Sequence, residues 1–153
     1  MKKILKIVVV LLVIGFIGIQ FVRPDRTNPP TNVAETMENS TAVPPDVASI
    51  LGRSCADCHS NDTHFPWYSQ IAPVSWWLND HINEGRRELN ISQWNTYNDK
   101  KKDRKLNEIC EQVRQGEMPL PSYLWIHRDA ALSEADIKTL CDWTASERSK
   151  YPE

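Results

Sequence analysis

No stretch of this 153-residue chain alternates apolar and polar residues for long enough to make a strand, and no segment repeats. That leaves an all-α class and excludes repeat architectures. The sequence also lacks a recognisable catalytic constellation, a second close pair of cysteines and any excess of basic charge. The length allows one modest domain rather than two. Net charge is −2, and residues 1–22 contribute three lysines and no acids, which takes the remainder to −5. An acidic domain excludes bulk nucleic-acid affinity as its main business. Glycine is scarce at five residues, against ten prolines and six tryptophans. So many tryptophans suit a large flat apolar partner as well as an aromatic core.

The N-terminus reads separately. Lys2, Lys3 and Lys6 precede an apolar run over residues 7–22. A charged start followed by an apolar stretch is a signal peptide or a membrane anchor. No small-x-small cleavage site follows, and no cysteine is placed for lipidation. The expectation is therefore a retained transmembrane signal anchor over 1–22, single-pass in the inner (cytoplasmic) membrane. The lysines would stay cytoplasmic and the C-terminal domain would lie in the periplasm. Residues 23–45, rich in proline and polar side chains, read as a flexible tether that cannot pack a core. Residues 46–153 read as the folded domain.

Within that domain the spacing predicts four main helices. Asp46 can cap the first, with Val47, Ile50 and Leu51 on one face. A second follows Pro73, with Val74, Trp77, Leu78, His81, Ile82, Gly85 and Leu89 at helical spacing. A third covers 101–115, with Gly116 as its stop. The last starts at Ser133, where Ser133 and Asp136 resemble a capping box. Residues 90–99 read as a loop. The run Lys100-Lys101-Lys102-Asp103-Arg104-Lys105 reads as solvated surface at a helix start.

The densest chemical signal is Cys55-Ala56-Asp57-Cys58-His59. C-x-x-C-H is the attachment signature for c-type haem. Each thiol can add to one vinyl group, and the adjacent histidine meets the iron. The competing readings are a redox dithiol, which wants a βαβ context, and half of a zinc site, which wants four ligands. His59 is the proximal ligand by adjacency. With Met37 placed in the tether, Met118 is the domain's only methionine and sits before Pro119, so it is the candidate second ligand. His/Met ligation raises the potential, as in cytochromes c. His127 is the best rival; His64 is too close to His59, and His81 lies on an apolar helix face. A backbone carbonyl near Pro66 or Pro73 would orient His59. Arg53 is a candidate partner for a propionate, and Trp67, Trp76, Trp77 and Trp125 are candidate porphyrin walls. Cys110 and Cys141 occupy equivalent core-facing places on two helices. A disulfide between them would close a loop of about thirty residues and add ~3 kcal/mol.

Residues Arg53-Ser54-Cys55-Ala56-Asp57-Cys58-His59-Ser60-Asn61-Asp62, then Pro66-Trp67-Tyr68-Ser69 and Ile71-Ala72-Pro73-Val74-Ser75-Trp76, resemble the small bacterial haem-binding domain family. Gly116-Glu117-Met118-Pro119-Leu120-Pro121-Ser122-Tyr123 and Leu132-Ser133-Glu134 extend the likeness over about residues 46–146. The resemblance implies one c-type haem at Cys55, Cys58 and His59 in a cytochrome-c-like helical setting. Cys110 and Cys141 are not part of the family pattern.

The sequence thus predicts an all-α, cytochrome-c-like domain around one covalent haem c, behind an N-terminal transmembrane helix. Its expected function is a membrane-anchored monohaem cytochrome carrying single electrons, without a substrate reaction of its own. Its expected partners are a membrane donor and a periplasmic or membrane acceptor. The alternatives are a haem-based sensor or peroxidase-like domain with an open sixth position, or a haem subunit of a larger respiratory complex.

Overall fold

The structure is a computed structural model and describes residues 1–151. Among the described residues it is all-helical: α1 (Lys2–Ile19), α2 (Met37–Ser40), α3 (Pro45–Ser54), α4 (Ala56–His59), α5 (Val74–Glu88), α6 (Asp99–Gln115) and α7 (Glu134–Arg148), joined by short 3-10 turns.

The helix boundaries follow local chemistry. The Asn98 side chain accepts from Lys101 N at 2.9 Å and starts α6. Gly116 ends it at φ 72°, a left-handed conformation that glycine adopts without a Cβ penalty. At α7 both halves of the capping box form between Ser133 and Asp136. Helix α3 begins at Pro45, a residue ahead of Asp46, whose carboxylate accepts from Val47 N instead of capping. Residues 90–99 are more ordered than a loop. A 3-10 turn, Ile91–Thr96, carries Trp94 into the core, where it is 0% exposed.

The core gathers Val47, Ile50, Leu51, Trp94, Leu106, Ile109, Val113, Leu140, Cys141 and Trp143, with Met37 among them. Helices α6 and α7 pack side by side, pinned by a Cys110–Cys141 disulfide with a Cα–Cα distance of 4.9 Å. Arg148 adds an ion pair to Asp103 at 2.8 Å.

Two expectations about the N-terminal third are corrected. No helix among the described residues is long and apolar enough to cross a membrane. This overturns the transmembrane helix over 1–22, and with it the single-pass inner-membrane placement and the periplasmic domain. The reason is visible at Gln20. Its amide donates to the Ala72 carbonyl at 3.1 Å and accepts from Ala72 N at 2.9 Å, while Trp76 Nε1 donates to the Val22 carbonyl at 2.7 Å. The helix ends at Ile19, and Gln20 and Val22 bond Ala72 and Trp76, while the apolar side chains of α1 up to Ile17 stay exposed. The uncharged part of α1, residues 7–19, spans about 20 Å at ~1.5 Å per residue, short of a hydrocarbon core of about 30 Å.

The second correction is the tether. Asn28 donates to the Thr63 carbonyl and accepts from Thr63 N and Arg86, and Asn61 donates to the Pro30 carbonyl. Met37 is 1% exposed, and Trp143 Nε1 donates to the Ala42 carbonyl at 3.0 Å. Residues 28–43 thus strap the domain, because Asn28 satisfies the Thr63 backbone, Asn61 holds the Pro30 carbonyl and Met37 enters the core.

Candidate haem site

The motif Cys55-Ala56-Asp57-Cys58-His59 folds into the single turn α4 at the C-terminus of α3. Cys58 N and His59 N both donate to the Cys55 carbonyl, at 3.2 and 2.9 Å. This turn puts the two thiols three residues apart on one face and sets His59 one turn after Cys55. Helix α5 presses against it at Gly85. A Cβ there would meet the Cys58 carbonyl oxygen at 2.7 Å, so only glycine allows this approach.

His59 is oriented from α5, not from the Pro66 or Pro73 loops. Its Nδ1 lies 2.9 Å from the Gly85 carbonyl and 3.0 Å from the Leu89 carbonyl. Carbonyls only accept, so Nδ1 carries the hydrogen and Nε2 keeps its lone pair. Burial holds the imidazole below its ordinary pKa and so neutral, despite the two backbone bonds that pull the other way. That is the form that ligates metal.

Two cavities of about 400 and 320 Å³ share Ser54, His59, Glu88 and Met118 in their walls. Cys55 lines the larger and Cys58 the smaller. Met118 reaches both because its N–H, like that of Glu117, donates to the Gln112 carbonyl, folding the post-helical loop back over the end of α6. The larger cavity is walled by Leu51, Leu89, Ile91, Ile109 and Val113, and the smaller by Leu120 and Tyr123 among others. Of the four residues singled out from sequence, His59 and Met118 line both cavities, Cys55 the larger and Cys58 the smaller.

The rivals fare differently. The Tyr68 hydroxyl lies 2.6 Å from His127 Nε2, and the His127 ring stacks on Tyr123 at 4.2 Å; it lines neither cavity. His64 is exposed outside both. His81 does line the smaller cavity, with Nδ1 donating to the Trp77 carbonyl at 2.8 Å. None of the expected tryptophan walls touches either cavity; Trp67 and Trp125 are more than 70% exposed. Arg53 is drawn to Asp136 at 2.8 Å and to the Asp129 and Ala131 carbonyls instead. Three features escaped the sequence reading: the close approach at Gly85, the Tyr123 hydroxyl donating to Asp57 at 2.7 Å, and Lys105 at the cavity wall. Only Lys105 left a trace, since it stands one turn before Ile109 on α6.

The thiols separate the competing chemistries. Burial and the neighbouring Cys58 push the Cys55 thiol up to about 12. Burial and the Asp57 charge push Cys58 up to about 11. A redox dithiol works through a thiolate with a lowered pKa, the opposite arrangement. For zinc, no group of three or more His, Cys, Asp or Glu side chains that could hold a metal occurs among the described residues, and Cys110 and Cys141 are consumed by their disulfide. What remains is an apolar space of the size that small-molecule sites occupy, ~300–1,000 Å³. It is lined by two neutral thiols, a neutral imidazole with Nε2 unengaged by the protein and a thioether, a donor set that fits haem iron and its porphyrin.

A family model described as a haem-binding domain matches residues 14–146, reaching upstream of the likeness seen in the motifs and taking in the strap. No curated protein and no solved structure matches the chain. The apolar cavity, its oriented imidazole and the extent of that match agree: the chain belongs to the haem-binding domain family.

Proposed function

We propose that this protein is a monohaem c-type cytochrome that passes single electrons between protein partners. Cys55 and Cys58 would add their S–H bonds across the two vinyl groups, each sulfur bonding one vinyl carbon and each hydrogen going to the other, with no net oxidation. Haem iron supplies the one-electron ferric/ferrous couple. Everything else is the work of the chain. Gly85 and Leu89 carbonyls hold the His59 hydrogen on Nδ1 and so aim Nε2 as a ligand. The loop bonded to Gln112 holds Met118 as the second ligand, and the disulfide-pinned α6 and α7 limit reorganisation between redox states.

The observation that carries this reading is that His59 and Met118 line two neighbouring cavities, one bordered by Cys55 and the other by Cys58. The test is the absorption spectrum of the oxidised and reduced holoprotein, beside Met118→Ala and His81→Ala. The expected result is a near-infrared sulfur-to-iron band that Met118→Ala abolishes and His81→Ala leaves in place. Loss of the low-spin spectrum only in His81→Ala would assign bis-histidine ligation. A high-spin spectrum unchanged by either variant would leave the sixth position open and favour a sensor or peroxidase-like role.

A further inference from the structure

Lys105 ends a charge run that reads as solvated surface, yet it is 6% exposed and lines the larger cavity beside Cys55 and His59. No other lysine or arginine lines either cavity among the described residues. A buried ammonium is costly unless its charge and its three donors are met. Here they are met unevenly. Glu108 Oε2 lies 2.5 Å from Nζ, whereas Glu88 Oε2 stands off at 3.6 Å with its side chain 66% exposed. An exposed carboxylate at that distance returns to water at little cost. Burying the lysine at the edge of an apolar wall is explained if a further anion is bound there.

We propose that Lys105 binds a carboxylate of the haem, displacing Glu88 and keeping Glu108. The porphyrin's apolar face would lie against Leu51, Leu89, Ile91, Ile109 and Val113, with a propionate at Lys105. Lys105 thereby fixes which edge of the ring enters. The inference rests on the haem reading of the cavity but on neither covalent attachment nor Met118 ligation.

The test is a Soret titration of the haem-free full chain with ferric haem and with ferric haem dimethyl ester, which keeps ring and iron and lacks both carboxylate charges. Wild type is expected to bind haem at least about tenfold more tightly than the diester, the size of a charge-assisted hydrogen bond. Lys105→Met removes that preference and Lys105→Arg keeps most of it. An equal preference in wild type and in Lys105→Met, with helical circular dichroism intact, overturns the proposal. Should Lys105→Met fail to fold, Glu108→Gln decides. Freeing the ammonium widens the preference for haem over its diester, and an unchanged or smaller preference contradicts the role of Lys105. Absence of a Soret band with either ligand overturns the haem reading itself, a different result from equal affinity for the two.

Discussion

Nε2 of His59 is available as a ligand because Nδ1 is engaged by the carbonyls of Gly85 in α5 and Leu89 just past its end, and burial keeps the ring neutral. His127, by contrast, is engaged at Nε2 by Tyr68 and stacked on Tyr123 outside the cavities. Replacing His127 by Ala is therefore expected to leave the absorption spectrum of the holoprotein unchanged, while its melting temperature falls by the loss of the stacked pair, worth ~0.5–1.5 kcal/mol. A shifted Soret band in that variant would place His127 on the iron. At this scale the sequence is legible where chemistry is contiguous. Cys55, Cys58 and His59 are neighbours in the chain, so their joint purpose shows without a fold. His127 was ranked above His81, and the structure reverses that order, because which of them reaches the cavity depends on how α5 and the segment after Met118 come together.

Elements turn those residues into a site through two contacts. Helix α5 meets α4 at Gly85, where an added methyl group would lie 2.7 Å from the Cys58 carbonyl oxygen. Gly85→Ala is expected to destabilise the fold by about 1–3 kcal/mol, the usual cost of overpacking, and to lower the fraction of chains carrying haem. Chemical denaturation and the Soret-to-protein absorbance ratio measure the two effects. Unchanged values for both would mean that the helices shift apart freely. Helices α6 and α7 are linked by Cys110–Cys141 across a sequence separation of 31 residues. Replacing both cysteines by serine is expected to cost about 3–4 kcal/mol by the loop-entropy relation, seen as a lower urea midpoint. An unchanged midpoint would show that the helices hold their place without the bond. The ends at Gly116 and Ser133 were readable because Gly116, Ser133 and Asp136 act on their own backbone, whereas the Asn98 cap was missed and α6 starts at Asp99 rather than 101. The approach at Gly85 was not, since a glycine on a helix face looks the same whether or not another backbone lies over it. Trp94 likewise sat in a polar stretch, and only the surrounding core makes Ile91–Thr96 an ordered turn.

For the whole molecule, the fold class was legible from the missing strand pattern, but the limits of the domain were not. Proline and asparagine between residues 23 and 45 look like a tether by composition, yet Asn28 donates to the Thr63 carbonyl, Asn61 donates to the Pro30 carbonyl and Met37 completes the core. Met37→Ala is accordingly expected to cost about 2–5 kcal/mol, the range for a fully buried methionine. Limited proteolysis should then cut within residues 28–43 faster than in wild type. Equal cutting rates and equal stability would restore the tether reading. The apolar run at the N-terminus misled for a related reason. Its hydropathy was plain, but the pairing of Gln20, just past the helix end, with Ala72 spans 52 residues of sequence. Covalent attachment of one haem at Cys55 and Cys58, as proposed, is read from the intact mass of the holoprotein after full denaturation. The expected result is a single species at the mass of the chain plus one haem, falling to the bare chain when both Cys55 and Cys58 are replaced by alanine. A denatured wild-type protein at the mass of the chain alone would contradict it.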